Sequence, residues 1–122
     1  KIKLFALTAL TIVLTLTSCG DENPGPLFIC GVTDPVLELT WLNELTQDVN
    51  NSQLSQFFYL VAGEYQGEQV FIARNCCPNC GSVETVYSCS GQELGSFGFD
   101  ILPSEITREQ VIWRGANFQC GV

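Results

Sequence analysis

The sequence has no histidine and few basic residues, with five lysine and arginine residues against 13 carboxylates among 122 residues. Histidine is the usual general base, and lysine supplies the amine of Schiff-base chemistry. The two lysines, Lys1 and Lys3, both lie at the N-terminus. The rest of the chain therefore lacks the common serine triad and the usual acid–base groups. We predict no catalytic residues and favour a binding role over an enzymatic one.

The shortage of positive charge also limits the partners. Residues 19–122 contain three arginines against all 13 carboxylates, a formal charge of −10. Binding a nucleic-acid backbone requires clustered lysine and arginine, so we exclude nucleic acid as a partner. The same negative field repels anionic lipid head groups, and we expect the body of the protein to stand away from a membrane surface.

The sequence also lacks an apolar run long enough to cross a bilayer. Residues 4–17 are apolar apart from their threonines, but these 14 residues fall short of the roughly 20 that a transmembrane helix requires. Lys1 and Lys3 precede this run and small residues follow it. That pattern predicts a secretory signal.

The stretch Leu16-Thr17-Ser18-Cys19 resembles the lipobox of bacterial lipoproteins. The resemblance implies that residues 1–18 are a signal peptide removed by cleavage before Cys19. It also implies that Cys19 carries a diacylglycerol lipid with acyl chains such as palmitate. Two or more buried acyl chains hold a protein stably on a membrane. The alternative is an ordinary secretory signal in which Cys19 joins a disulfide.

The residues that follow Cys19 predict a tether and then a single domain. Residues 19–26 contain acidic residues, proline and glycine, which bury too little surface to fold. The pair Asp21-Glu22 also resembles the signal that sends some Gram-negative lipoproteins to the cell surface. We expect a lipid anchor in the outer membrane of a Gram-negative bacterium, on its periplasmic or cell-surface side. Residues 27–122 are the right length for one domain.

One helix and one hairpin are the clearest elements of that domain. Four apolar side chains recur at helical spacing: Trp41, Leu42, Leu45 and Val49. They predict a helix from residue 36 or 40 to residue 50. Residues 56–62 are rich in aromatic and β-branched residues, and residues 69–74 follow as a partner strand after a turn at 65–68. We expect the aromatic residues of this hairpin to belong to the core.

Weaker signals complete a predicted α+β fold. Residues 83–89 and 92–99 predict a third and a fourth strand, and residues 111–114 a short last strand. Pro103 opens a predicted helical turn that continues to Gln110. Residues 27–30 are expected to form an edge strand or a segment packed on the core. The predicted fold is one main helix packed on a small antiparallel sheet of four or five strands, stapled by disulfides.

Six cysteines follow Cys19: Cys30, Cys76, Cys77, Cys80, Cys89 and Cys120. An even number in an exported domain predicts three disulfides, although the spacing does not select a connectivity. Cys76 and Cys77 are expected to bond elsewhere, because a ring between neighbours is strained. One hypothesis is a bond between Cys30 and Cys120 that ties the two ends of the domain.

The stretch Cys77-Pro78-Asn79-Cys80 has further interpretations. It resembles the active-site motif of thioredoxin-like proteins, which implies a thiol–disulfide oxidoreductase using Cys77 and Cys80. That motif belongs at the start of a helix, whereas Gly81-Ser82 leads into a predicted strand. The spacing also matches half of a zinc ribbon, but the other half is missing, so we predict no metal and no cofactor. A protease inhibitor that presents residues 75–81 as a rigid loop is a third alternative.

Residues 30–120 as a whole resemble a family of small uncharacterised lipoproteins of the Gram-negative envelope. The likeness rests on five short motifs: Cys30-Gly31-Val32, Leu39-Thr40-Trp41-Leu42, the Cys77 and Cys80 pair, residues 86–91, and Ile112-Trp113. Members often have proline in place of Thr40, and either residue can begin a helix. The family carries no assigned activity. We expect a membrane-anchored binding or interaction module whose partner is an unidentified protein or envelope ligand.

Overall fold

The computed structural model describes residues 28–122, so the predicted signal peptide and tether lie outside the described residues. Two helices, α1 (Pro35–Glu38) and α2 (Thr40–Asn50), precede the sheet. The sheet has five strands: β1 (Phe58–Tyr65), β2 (Glu68–Asn75), β3 (Thr85–Ser88), β4 (Glu93–Ser96) and β5 (Ile106–Arg114). Short 3₁₀ turns precede β1 and β5. Within residues 28–122, no helix is long and apolar enough to cross a membrane.

The five strands form one sheet in the order β4-β3-β2-β1-β5, and every neighbouring pair is antiparallel. The helix α2 packs on one face of this sheet. The chain between β4 and β5 and the C-terminal tail pack on the other face. The predicted α+β fold, with one main helix, an antiparallel sheet and disulfides, is confirmed.

The helical layer begins at Asp34. Its Oδ1 accepts a hydrogen bond from the Leu37 N–H at 3.2 Å, which satisfies one of the unpaired donors of the first turn. Pro35 occupies that turn, where a missing N–H costs nothing. Leu39 is extended and separates α1 from α2. The helix predicted to begin at residue 36 or 40 therefore consists of both parts, and it ends at Asn50 as predicted.

The apolar stripe of α2 faces the sheet. Leu42 is fully buried, and Trp41 and Leu45 pack beside it against the same cluster. Glu44 and Asp48 lie on the exposed side of the helix. The amphipathic pattern therefore determines which face of α2 packs against the sheet.

The hairpin of β1 and β2 is longer than predicted and is paired along all eight residues of each strand. Its two turn residues, Gln66 and Gly67, have φ values of 50° and 79°. Positive φ at both positions is the requirement of a type I′ turn, whose twist matches that of the strands.

Both faces of this hairpin are buried, as expected for core rather than for a ligand platform. Leu60, Ala62 and Phe71 face α2. The opposite face comprises Tyr59, Val61, Val70 and Ile72. Val86 on β3 and Ile106 on β5 extend this face, and residues outside the strands cover it: Phe97, Ile101 and Phe118.

The C-terminal third departs from the prediction. The helical turn predicted from Pro103 to Gln110 is wrong beyond Glu105, because β5 begins at Ile106. Ile106 lies opposite Tyr65 in the ladder between β1 and β5, and its side chain is buried. Strand pairing and burial at this position outweigh the local helical signal.

Two further element boundaries differ from those predicted from the sequence. The strands predicted at residues 83–89 and 92–99 are limited to β3 and β4, which have four residues each. At the other end of the domain, Ile29 is buried and pairs with Val32 in an isolated bridge. The first described residues are therefore a segment packed on the core rather than an edge strand.

We predict that Leu42→Ala lowers the free energy of unfolding by about 2–5 kcal/mol, because it empties a fully buried position between α2 and the sheet. The control is Leu37→Ala. Leu37 is 70% exposed, and its loss should change stability by less than about 0.5 kcal/mol. Urea unfolding followed by circular dichroism measures both variants, and equal losses would contradict the placement of Leu42 in the core.

Candidate functional site

The six cysteines of the described region form three disulfides: Cys30–Cys89, Cys76–Cys120 and Cys77–Cys80. The prediction of a three-bond framework is confirmed. The expectation that Cys76 and Cys77 bond elsewhere rather than to each other is also confirmed. The hypothesis of a bond between Cys30 and Cys120 is wrong.

Cys30 and Cys120 cannot meet because they lie at opposite ends of the sheet. The Cys30 N–H donates to Gln69 Oε1, beside the turn between β1 and β2. The Gln119 N–H donates to the Gln56 carbonyl at 2.8 Å, just before β1 begins. The eight residues of β1 span roughly 25 Å, far more than a disulfide can bridge. Each cysteine therefore bonds to the sulfur at its own end.

The connection between β2 and β3 carries three cysteines and is the strongest candidate for a functional site. We call residues 76–84 the cysteine loop. Within it, Cys77 and Cys80 close a small ring whose middle residues, Pro78 and Asn79, are exposed. The bond from Cys76 ties the first residue of the loop to the C-terminal tail. The loop projects from the end of the sheet at which β1 begins.

Polar contacts hold the base of the cysteine loop. Glu84 Oε1 accepts a hydrogen bond from the Asn75 N–H at 2.8 Å, and Glu84 Oε2 lies 2.7 Å from Arg74 Nε. The Arg74 Nε–H does not point at that oxygen, so charge attraction rather than a directed hydrogen bond holds this pair. Asn75 Oδ1 accepts from the Cys77 N–H at 2.6 Å. One carboxylate thereby joins the two ends of the loop.

Aromatic rings enclose the guanidinium of Arg74. Its Cζ lies 4.5 Å from the centre of the Phe97 ring and 5.7 Å from that of Tyr59. A cation over the face of an aromatic ring gains attraction that adds to its ion pair. Arg74 is thus a structural support of the loop rather than a positive charge available to an anionic ligand.

The described residues do not gather further reactive groups at this loop. Among residues 28–122, no three histidine, cysteine, aspartate or glutamate side chains are arranged as a metal site. The chain from Cys80 to β3 contains no helix. The helix N-terminus that lowers the pKa of the first cysteine in thioredoxin-like sites is therefore missing next to Cys77.

The structure places an exposed apolar pair beside the cysteine loop, which sequence reasoning missed. The Phe97 N–H donates to the Glu84 carbonyl at 2.7 Å, and this bond brings the turn after β4 alongside the loop. On that turn Phe99 is 82% exposed, and Val83 in the loop is 63% exposed. Two large apolar side chains are therefore presented to solvent, one on the cysteine loop and one on the turn bonded to its last residue.

The turn that carries Phe99 is held by its own hydrogen bonds. We call residues 96–100 the Phe99 turn. The Ser96 carbonyl accepts from the Asp100 N–H, and Asp100 Oδ2 accepts from the Ser96 N–H, both at 2.9 Å. Gly98 supplies the positive φ of 87° that the turn requires. The sequence signal was a glycine two residues before an aspartate, which the prediction of a strand over 92–99 overlooked.

Both features lie at the far end of the sheet from the point at which the described chain begins. Gln69 Nε2 donates to the Phe28 carbonyl at 3.3 Å, which places Phe28 beside the start of β2. The cysteine loop follows the end of β2 at Asn75. The segment before Phe28 therefore joins one end of the domain, and the cysteine loop projects from the other.

No protein-family model, curated protein or solved structure matches this chain. The resemblance to small envelope lipoproteins stays a prediction. The lipobox at residues 16–19 lies outside the described residues and also stays a prediction. What the chain does is therefore inferred from its own residues and contacts.

We predict that Glu84→Ala lowers the free energy of unfolding by roughly 1–2 kcal/mol, because the Asn75 N–H loses its acceptor and Arg74 loses its ion-pair partner. Glu93→Ala is the control, since Glu93 is exposed on β4 and its loss should cost less than about 0.5 kcal/mol. Thermal unfolding measures both. A loss for Glu84→Ala no larger than that of the control would show that this carboxylate does not hold the loop.

Proposed function

We propose that this protein is a lipoprotein of the Gram-negative cell envelope, anchored in the outer membrane by a lipid on Cys19. Residues 27–122 form its non-catalytic module, which binds a protein or another ligand of the envelope. The lipobox resemblance, the apolar run before it and the acidic tether after it support the anchor. The disulfides support an oxidising compartment, since such bonds form and persist outside the cytosol.

The pairing of the other six cysteines is the observation that carries the anchor proposal. All six are bonded to one another within residues 28–122. No cysteine of that region is left to pair with Cys19. If Cys19 formed a disulfide within the same domain, it would have no free cysteine there to bond to. Lipidation is the role that suits its position at the end of the apolar run.

The cysteine loop and the Phe99 turn are the binding surface that we propose. Exposed aromatic side chains on well-ordered turns are effective anchors, because they bury a large area and lose little conformational freedom on binding. Hydrogen bonds and a disulfide already order both segments. The surface also lies at the end of the domain opposite Phe28, where the described chain begins, so it can meet a partner away from the predicted anchor.

Charge defines the kind of partner. Residues 28–122 contain eleven carboxylates and three arginines, and two of those arginines are paired with Glu64 and Glu84. A domain with this excess of negative charge associates fastest with a basic surface. We propose a protein partner with an apolar pocket for Phe99 and basic residues around it. The absence of histidine and lysine from this region supports binding rather than catalysis.

Lipidation is tested by mass spectrometry of the full chain produced in a Gram-negative host. We predict that the mature N-terminus is residue 19 with covalently bound acyl chains, and that Cys19→Ala abolishes the acyl modification. Ser18→Ala is the control, since it keeps the cysteine and a small residue before it. An acylated Cys19→Ala protein, or an unmodified wild-type cysteine at position 19, would rule out the anchor.

The binding surface is tested with a photo-cross-linking amino acid in intact cells. We predict that the probe at position 99 gives a discrete protein adduct, whereas the probe at position 37 does not. Leu37 is the matched control because it is also a large apolar residue, 70% exposed, but lies on α1 away from the cysteine loop. Equal cross-linking from both positions, or none from position 99, would contradict the proposed surface.

A further inference from the structure

We infer that the bond between Cys77 and Cys80 is a thiol–disulfide exchange site that accepts electrons from a protein dithiol. The other two disulfides, Cys30–Cys89 and Cys76–Cys120, are structural. This inference concerns the reactivity of the cysteine loop, and it holds whether or not the loop is the binding surface proposed above. Three independent features of the loop lead to it.

The first feature is the small ring that the bond closes. Its cysteines are three residues apart, whereas the other bonds join residues 44 and 59 positions apart. A disulfide stabilises the folded state mainly by restricting the unfolded chain, and this effect grows with the length of the closed loop. The unfolded chain already keeps Cys77 close to Cys80. Folding therefore protects this bond from reduction much less than it protects the other two.

The second feature is access. Cys30 packs against the core cluster under α2, and Cys120 packs against the cluster on the opposite face. Cys77 and Cys80 are half-buried and belong to neither cluster, and the residues between and after them are exposed. Cys76 is exposed as well, but its partner Cys120 packs on the core, so of the three bonds only Cys77–Cys80 has both sulfurs outside the two clusters. An external thiol can thus approach this bond without displacing any part of the core.

The third feature is that the loop is held without the bond. Glu84 joins Arg74 and the Asn75 N–H at its base, and the Cys76 N–H donates to the Phe57 carbonyl at 3.0 Å. Cys76 also remains tied to the tail through its own disulfide. Reduction of the ring therefore frees the residues at the tip of the loop and leaves its ends in place. This bond fastens no distant segment, whereas the other two tie the first described segment and the C-terminal tail to the sheet.

The exchange itself needs an attacking thiolate from the partner. That thiolate bonds to one sulfur of the ring, the bond between Cys77 and Cys80 breaks, and the other sulfur leaves as a thiolate that takes a proton. The second thiol of the partner then attacks the mixed disulfide. The partner leaves as a disulfide, having given two electrons, and Cys77 and Cys80 remain as two thiols. The described region has no lysine, histidine or helix N-terminus beside the ring to activate a thiol of its own, so the partner starts the reaction.

The neighbouring Cys76–Cys120 bond should not be reduced by the Cys77 thiol. After reduction, the Cys77 thiol adjoins Cys76, whose sulfur is bonded to Cys120. Attack on Cys76 by its neighbour would create a ring between adjacent residues, which is strained. The Cys77 thiol therefore cannot pass its electrons to the neighbouring bond through Cys76.

Stepwise reduction of the full-length lipoprotein in detergent tests whether the Cys77–Cys80 bond is reduced before the other two disulfides. The protein is incubated with increasing dithiothreitol, the thiols are blocked with N-ethylmaleimide, and peptide mapping locates the labels. We expect Cys77 and Cys80 to be labelled at a dithiothreitol concentration at least about tenfold lower than the other four cysteines. Simultaneous opening of all three bonds, or earlier opening of either other bond, would overturn the inference.

Trapping tests the exchange with a protein. The probe is a thioredoxin-type protein whose resolving cysteine is replaced by serine, and N-ethylmaleimide blocks the return attack. We expect a one-to-one mixed disulfide with the wild-type chain and at least a tenfold loss of it in the Cys77→Ser, Cys80→Ser double variant. The same double variant should keep its circular dichroism spectrum, whereas Cys30→Ser, Cys89→Ser should lose thermal stability. Undiminished trapping in the first double variant would show that the exchange occurs at another bond.

Discussion

The structure depends on the burial of both faces of the β1–β2 hairpin. A strand pair buried on both faces needs two separate covers, and residues 28–122 supply only one of regular structure, the helix α2. The second cover is made from pieces without regular structure: Phe97 and Ile101 after β4, and Phe118 in the tail. Local hydrogen bonds shape the turn between Phe97 and Ile101, but the position of these pieces on the sheet depends on contacts that are distant in sequence.

The two long-range disulfides help to hold both covers in position on the sheet. Cys30–Cys89 fixes the segment that leads into the helical layer, and Trp41 Nε1 adds a hydrogen bond to the Cys89 carbonyl at 2.9 Å. Cys76–Cys120 fixes the tail that brings Phe118 onto the sheet. Loops of these lengths correspond to about 4 kcal/mol of stabilisation for each bond in the chain-entropy description. The Cys77–Cys80 ring fastens neither cover, which separates it physically from the other two bonds.

The parts of the fold that could be predicted are those with a local signal. The stripe from Trp41 to Val49 and the turn at Gln66-Gly67 each specify their element within a few residues, and the structure has both. Strand β5 could not be predicted in full, because its first half pairs with β1 some forty residues away while Pro103 carries a local helical signal. The disulfide partners and the neighbourhood of Phe99 also depend on where distant segments meet. For the candidate site, the sequence identified the cysteines but neither their connectivity nor the exposed apolar pair, Val83 and Phe99.

The two ends of the sheet differ in a way that bears on both the proposed lipid anchor and the proposed binding surface. The described chain begins beside the turn end of the hairpin, and the cysteine loop and the Phe99 turn occupy the other end. A tether of the predicted eight residues reaches roughly 15 Å on average, less than the roughly 25 Å length of the strands. The excess of carboxylates opposes contact between the domain and an anionic membrane. If Cys19 carries the proposed lipid, a short tether at one end and repulsion from the lipid surface would both favour an orientation in which the loop points away from the membrane. The exchangeable disulfide and the exposed aromatic residue would then be the parts of the protein that a partner meets first.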